Sequence, residues 1–117
     1  MPRSSKAHEQ LSDAAARSLG ALGTRLQRAR LLRNWTQAET AQKAGLSASS
    51  VKKVEAGSAH VTVAAYVALL DVFGMPAAFD RVLAPGDDTL GEALAVRGGR
   101  QRARAAAAER ATEWELE

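Results

Sequence analysis

Between residues 20 and 59 the chain carries Arg25, Arg28, Arg30, Arg33, Lys43, Lys52 and Lys53 against only Glu39 and Glu55. One sign of charge therefore dominates the middle of the sequence, and such a block attracts polyanions. Lys52 and Lys53 stand beside the small polar residues Ser49 and Ser50, while Val51 and Val54 are spaced to face the other way along a helix. Lysine ammonium groups donate hydrogen bonds and accept none, so the chemistry on offer is recognition of an acceptor-rich anionic surface. Residues suited to bond-making are scattered. His8 and His60 are far apart, and the absence of cysteine removes thiolate metal sites and disulfides. The adjacent carboxylates Asp87 and Asp88 follow Pro85 and Gly86, a setting that makes a solvated turn rather than an acid/base pair. No nucleophile motif, phosphate-cradling glycine loop or metal-ligand spacing is present. The expectation is a protein that is not an enzyme and uses no cofactor and no metal.

The elements that must position those cations are helical. A chain of 117 residues allows one domain with tails. Its 46% apolar and 4% aromatic content calls for a core of Leu, Val and Ala. Ser12 and Asp13 can cap a short helix through Leu19, which Gly20 and Gly23 are expected to interrupt. A firmer helix follows over about residues 22–33, with Leu22, Leu26, Ala29 and Leu32 or Arg33 at helical spacing, and Asn34 and Trp35 end it. Thr36 and Glu39 form a capping-box pattern for a helix over 37–44, which Gly45 stops. Ser47 caps the next helix, 48–56, closed by Gly57. Thr62 caps a fourth to about Phe73, with Val63, Tyr66, Val67, Leu70 and Phe73 as its apolar face. Residues 76–83 suit either a fifth short helix or a strand at a dimer contact, with Phe79, Val82 and Leu83 inward. The expected fold is all-α, a compact bundle of about five helices at residues 20–84. A flexible, partly helical extension precedes it at 1–19, and a linker and mobile tail follow at 85–117.

Two short helices joined by Gly45-Leu46-Ser47, with small Ala41 at the crossing, form a tight pair. The residues Trp35-Thr36-Gln37, Ala41, Ala44-Gly45-Leu46-Ser47, Val51, Val54-Glu55 and Gly57 give this segment its character. It resembles the helix-turn-helix of the XRE, or Cro/phage-repressor, family over residues 22–73. The resemblance implies a lambda-repressor-like domain whose second helix of the pair enters the major groove of double-stranded DNA. By position it implies base-edge contacts from Ala48, Ser49 and Lys53, with Lys52 at the margin. Phosphate contacts are implied for Gln37, Lys43, Ser47, Ser50 and Lys52. Solvation and capping compete with DNA contact for Ser47 and Ser49. Arg30 and Glu55 fall where the family has a buried pair tying the first helix to the recognition helix. Trp35 is read as core rather than as a base-stacking residue. Thr40 departs from the family's usual apolar residue and is expected to loosen helix packing slightly.

The ends add two features. Arg97, Arg100, Arg102 and Arg104 make either a basic arm for a minor groove or a solubilising linker. Residues 109–117 hold four glutamates and one arginine around Trp114 and Leu116, a pattern shared by short partner-binding tails. With the compact domain, this layout is similar to HipB-like antitoxins. That similarity implies a homodimer that represses its own operon and binds a HipA-like kinase toxin through Trp114 and Leu116. A stand-alone repressor and an interaction module that does not read DNA are the alternatives. No apolar run is long enough for a membrane span and no secretory signal is evident, so the expected location is the cytoplasm, on the nucleoid.

Overall fold

In a computed structural model of the chain, residues 10–99, 104 and 106–110 are described. All regular structure among them is helical, with no strand. The chain divides between Phe79 and Asp80 into two compact units.

The first unit holds four α-helices, α1 (Asp13–Leu32), α2 (Gln37–Ala44), α3 (Ala48–Glu55) and α4 (Val63–Val72). Each starts where the sequence supplies a cap. Ser12 accepts from the Ala15 N–H at 3.1 Å. Thr36 and Glu39 complete the capping box, the Glu39 carboxylate accepting from the Thr36 N–H at 2.8 Å and the Thr36 hydroxyl from the Glu39 N–H at 3.0 Å. The Ser47 hydroxyl accepts from the Ser50 N–H at 3.0 Å. Thr62 differs: it occupies the N-cap position of α4 but its side chain makes no capping bond.

All four helices end in the same paired bonds around a left-handed residue. For α3, the Gly57 N–H donates to Val54 O at 2.9 Å and the Ser58 N–H to Lys53 O at 2.9 Å. Asn34, Gly45 and Gly74 hold the corresponding place after α1, α2 and α4, each with positive φ.

Gly20 and Gly23 do not interrupt the first helix; α1 runs unbroken through both. The reason is tertiary. A Cβ on Gly23 would lie 2.5 Å from Val54 O, 2.7 Å from Glu55 O and 2.8 Å from Gly57 N. A Cβ on Gly57, at φ +72°, would lie 2.5 Å from Gly20 Cα. Gly23 in α1 and Gly57 after α3 thus let α1 cross the C-terminal end of α3 backbone against backbone, while a Cβ on Gly20 would meet nothing within 4 Å.

Leu26, Ala41, Val51, Val54, Ala65, Tyr66, Leu69, Leu70 and Phe73 form the core. Thr40 is also fully buried. Its hydroxyl donates to Thr36 O at 2.9 Å, so the buried polar group is satisfied within its own helix. Two apolar faces differ from expectation. On α4 the buried side is Ala65, Tyr66, Leu69 and Leu70, while Val63 is exposed. At the end of α1, Leu32 is exposed and Ala29 half-buried. The Tyr66 hydroxyl donates to Ser58 O at 2.6 Å, tethering the loop after α3. Burial pushes its phenol above the usual range.

Residues 76–83 form neither a strand nor an α-helix. A 3₁₀ turn spans Ala78–Arg81. Ala78 and Phe79 pack on the core, whereas Val82 and Leu83 point outward rather than in. In the second unit, Asp87 closes a turn by accepting from the Ala84 N–H at 3.0 Å. Asp88 caps α5 (Thr89–Leu94) by accepting from the Gly91 N–H at 2.9 Å. The paired carboxylates are thereby occupied as turn and cap. A π-helical turn, Ala95–Gly99, continues α5. No helix among the described residues is long and apolar enough to cross a membrane.

Candidate nucleic-acid interface

Helix α3 has one side committed to the fold and one side free. Val51 and Val54 are completely buried, and Glu55 is buried with them. With 3.6 residues per turn, Ser49 and Lys53 fall opposite Val51, and Lys52 and Ser50 flank it. Accordingly Ala48, Ser49, Lys52 and Lys53 are exposed and Ser50 is half-buried. No acidic residue lies in the first turn of α3, so the positive end of its helix dipole is not neutralised from within.

The C-terminal end of α3 is fastened by Glu55. Its carboxylate takes a bidentate bond from Arg30, Nε at 2.5 Å and Nη2 at 3.1 Å. The same guanidinium donates from Nη1 to Trp35 O at 2.8 Å. Gln37 Nε2 donates to Glu55 Oε1 at 2.9 Å. One buried carboxylate therefore joins α1, the α1–α2 loop, α2 and α3. Arg30 is the cation of that cluster, so its charge is consumed internally and the outward charge comes from its neighbours.

The remaining residues expected at a duplex are placed as follows. Ser47 and Ser50 bond to each other, Ser47 donating its hydroxyl to Ser50 Oγ at 3.0 Å. Gln37 is half-buried and its amide is turned onto Glu55. Lys43 is exposed, with Nζ 4.8 Å from the centroid of the Trp35 ring. Trp35 itself is half-buried and stacks on Phe73 with centroids 6.0 Å apart. Arg33 completes this cluster, its guanidinium 5.0 Å from the Phe73 centroid and donating to Phe73 O at 2.8 Å. Arg97 lies in the π turn and Arg104 is exposed on helical backbone. Arg100, Arg102, Trp114 and Leu116 lie outside the described residues.

Sequence reasoning passed over several of these contacts. The Arg33–Phe73 and Tyr66–Ser58 bonds join residues with no local signature. Gly23, a glycine inside a helical pattern, was the available signal for the α1–α3 crossing. The Glu39 carboxylate is held below its ordinary range, chiefly by the Thr36 N–H and then by the Thr36 hydroxyl. That anion belongs to the α2 cap. No group of three or more His, Cys, Asp or Glu residues that could hold a metal occurs among the described residues.

The arrangement suits insertion of a short cationic helix into a groove. Its polar tips reach outward, and its support is a rigid neighbouring helix. A family model described as a helix-turn-helix domain matches residues 21–81, just over half of the chain. No curated protein and no solved structure matches. The exposed two-lysine helix, its tight partner helix and the family match agree: the chain belongs to the helix-turn-helix domain family.

Proposed function

We propose that this protein is an XRE-type transcriptional repressor that binds a palindromic operator as a homodimer. The single observation behind the proposal is the exposed face of α3, Ala48, Ser49, Lys52 and Lys53, on a helix whose opposite face and far end are locked in the core. Lys53 donates to guanine O6 and N7, Ser49 bonds a base edge, and Ala48 meets a thymine methyl. Lys52, Lys43, Ser47, Ser50 and Gln37 set register on phosphates. The Gln37 amide keeps one N–H beyond the one given to Glu55. Two copies place their α3 helices in successive major grooves ~34 Å apart, and occupancy blocks the promoter.

Binding selection on random duplexes followed by salt titration tests this. The expected outcome is a palindromic site and a log–log salt slope of several units, from counterion release. A slope near zero refutes groove binding. Lys53→Ala relaxes preference at one base pair at a cost of about 1–3 kcal/mol, whereas Lys52→Ala weakens all sequences alike. Uniform weakening by Lys53→Ala removes it from the base-reading set.

The acidic sequence around Trp114 and Leu116 supports a second role for the same protein, as antitoxin to a HipA-like kinase. Deleting residues 113–117 then weakens kinase binding and spares DNA binding. Equal kinase affinity in the truncated protein refutes that role for the tail.

A further inference from the structure

We infer that the outward face of α1, from Thr24 to Leu32, is a docking surface for an acidic peptide segment of another protein, one that carries aliphatic or aromatic anchors. Gly23, Leu26 and Arg30 are the buried residues of α1. With 3.6 residues per turn, Thr24, Arg28 and Leu31 fall on the opposite side. There Thr24, Gln27, Arg28, Leu31 and Leu32 line a groove of about 420 Å³. Leu31 is 57% and Leu32 69% exposed. A single exposed leucine is ordinary on a folded protein. Two in succession along one groove make an apolar patch that gains from being covered.

Charge selects the occupant. Arg25 and Arg28 are exposed beside the leucines, and among the described residues neither joins an ion pair. The sequence holds no Asp or Glu between Asp13 and Glu39. Asp13, at the start of α1, precedes Thr24 by roughly 17 Å at 1.5 Å per residue. Around the groove, α1 therefore supplies positive charge alone. A two-fold contact between copies would set these arginines against their equals, and like charges repel. A duplex would pair with the arginines and leave both leucines against a polar backbone. An acidic peptide with apolar side chains answers both features. Its carboxylates take the guanidinium forks, and its anchors cover Leu31 and Leu32 as in other helix-and-groove contacts. A footprint of little more than two turns places the complex in the weak, transient class.

The test is fluorescence anisotropy of the full chain with a labelled synthetic peptide of repeating Glu-Glu-Leu-Leu units. Two companion peptides carry Lys for every Glu, or Ser for every Leu. The protein variants are Leu31→Ser with Leu32→Ser, Arg25→Glu with Arg28→Glu, and Lys52→Ala with Lys53→Ala on α3. The expected dissociation constant for the wild type is below ~100 μM, with both companion peptides at least about tenfold weaker. Each α1 variant also loses at least about tenfold in affinity for the Glu/Leu peptide, at unchanged helical content, and the α3 variant binds that peptide like wild type. A wild type that leaves the peptide free at ~100 μM overturns the proposal. Equal binding of the serine peptide overturns it too, because charge attraction alone then suffices. So does a loss confined to the α3 variant, which puts the peptide on the lysine helix. If Arg25→Glu with Arg28→Glu weakens duplex binding and spares the peptide, the arginines belong to DNA and the docking surface is refuted. A chain that takes the peptide on α1 but binds no duplex supports this surface and sinks the repressor reading.

Discussion

Replacing Arg30 with methionine isolates the contribution of the buried cluster around Glu55. Both side chains of the pair are almost wholly withdrawn from solvent, with 9% and 4% of their area exposed. The substitution removes both guanidinium bonds to the carboxylate and the bond to Trp35 O. Glu55 is left with the Gln37 amide, a neutral donor beside a buried charge. Stranding a buried charge costs about 3–5 kcal/mol, against a total stability of about 5–15 kcal/mol for a domain. The melting temperature should fall by at least ~12 °C, at ~4 °C or more per kcal/mol for a domain of this size. Changing Glu55→Leu in the same chain removes the stranded charge. What then remains is the loss of hydrogen-bond partners for Gln37 and Trp35 O, about 1–2 kcal/mol each at most. The double variant should therefore be more stable than Arg30→Met alone, with a coupling energy of at least ~1 kcal/mol. Urea unfolding followed by circular dichroism gives all four corners of the cycle. A loss below ~1 kcal/mol for Arg30→Met, or a double variant less stable than the single one, would falsify the account of Glu55 as the junction of the fold.

Two further predictions concern helix construction. Gly23→Ala should destabilise by about 1–3 kcal/mol through overpacking, since its Cβ meets three backbone atoms closer than 3.0 Å. Gly20→Ala, whose Cβ meets nothing within 4 Å, should stabilise by up to ~1 kcal/mol through helix propensity; thermal melts that rank the two the other way contradict the crossing. Thr36→Ala should cost about 1 kcal/mol as a lost cap and should raise the Glu39 pKa toward its ordinary value, as read by NMR titration. Because the folded Glu39 pKa is depressed, the wild type's capping contribution is complete above the ordinary carboxylate pKa and fades as pH falls through the depressed one. The Thr36 N–H that chiefly lowers this pKa survives in Thr36→Ala, so the rise should be partial, and a Glu39 titration unmoved by Thr36→Ala refutes the hydroxyl's share.

Much of this was legible from short-range chemistry. Thr36 with Glu39, Ser47, Gly45 and Gly57 are signals that act within three or four residues, and the boundaries of α2 and α3 follow from them. Gly20 and Gly23 count as helix breakers on a local scale, whereas α1 tolerates both and the need for glycine at Gly23 is set by α3, some thirty residues later. The buried side of α4 was legible only in part: Tyr66, Leu70 and Phe73 are buried as expected, whereas Val63 is exposed and Ala65 and Leu69 are buried. Its sequence is apolar on nearly every side, so periodicity does not orient it, and the packing of Ala65 and Leu69 decides. Residues 76–83 held too few residues to distinguish a 3₁₀ turn from a strand. Arg30 and Glu55 stand twenty-five positions apart, and only the family resemblance brought them together. The cation-over-ring contacts of Lys43 and Arg33 required the three-dimensional positions of Trp35 and Phe73.

The asymmetric mounting of α3 has an evolutionary consequence. The helix is riveted at its last turn, where Glu55, Gly57 and Ser58 are held from three directions, and its first turn is pinned on the inner side by buried Val51, so that only its outer side chains stand clear. Ala48, Ser49 and Lys53 bear none of the load, and exchanges at such surface positions usually shift stability by no more than about 0.5 kcal/mol. A lineage can therefore rewrite the outward face one residue at a time while the scaffold stays the same.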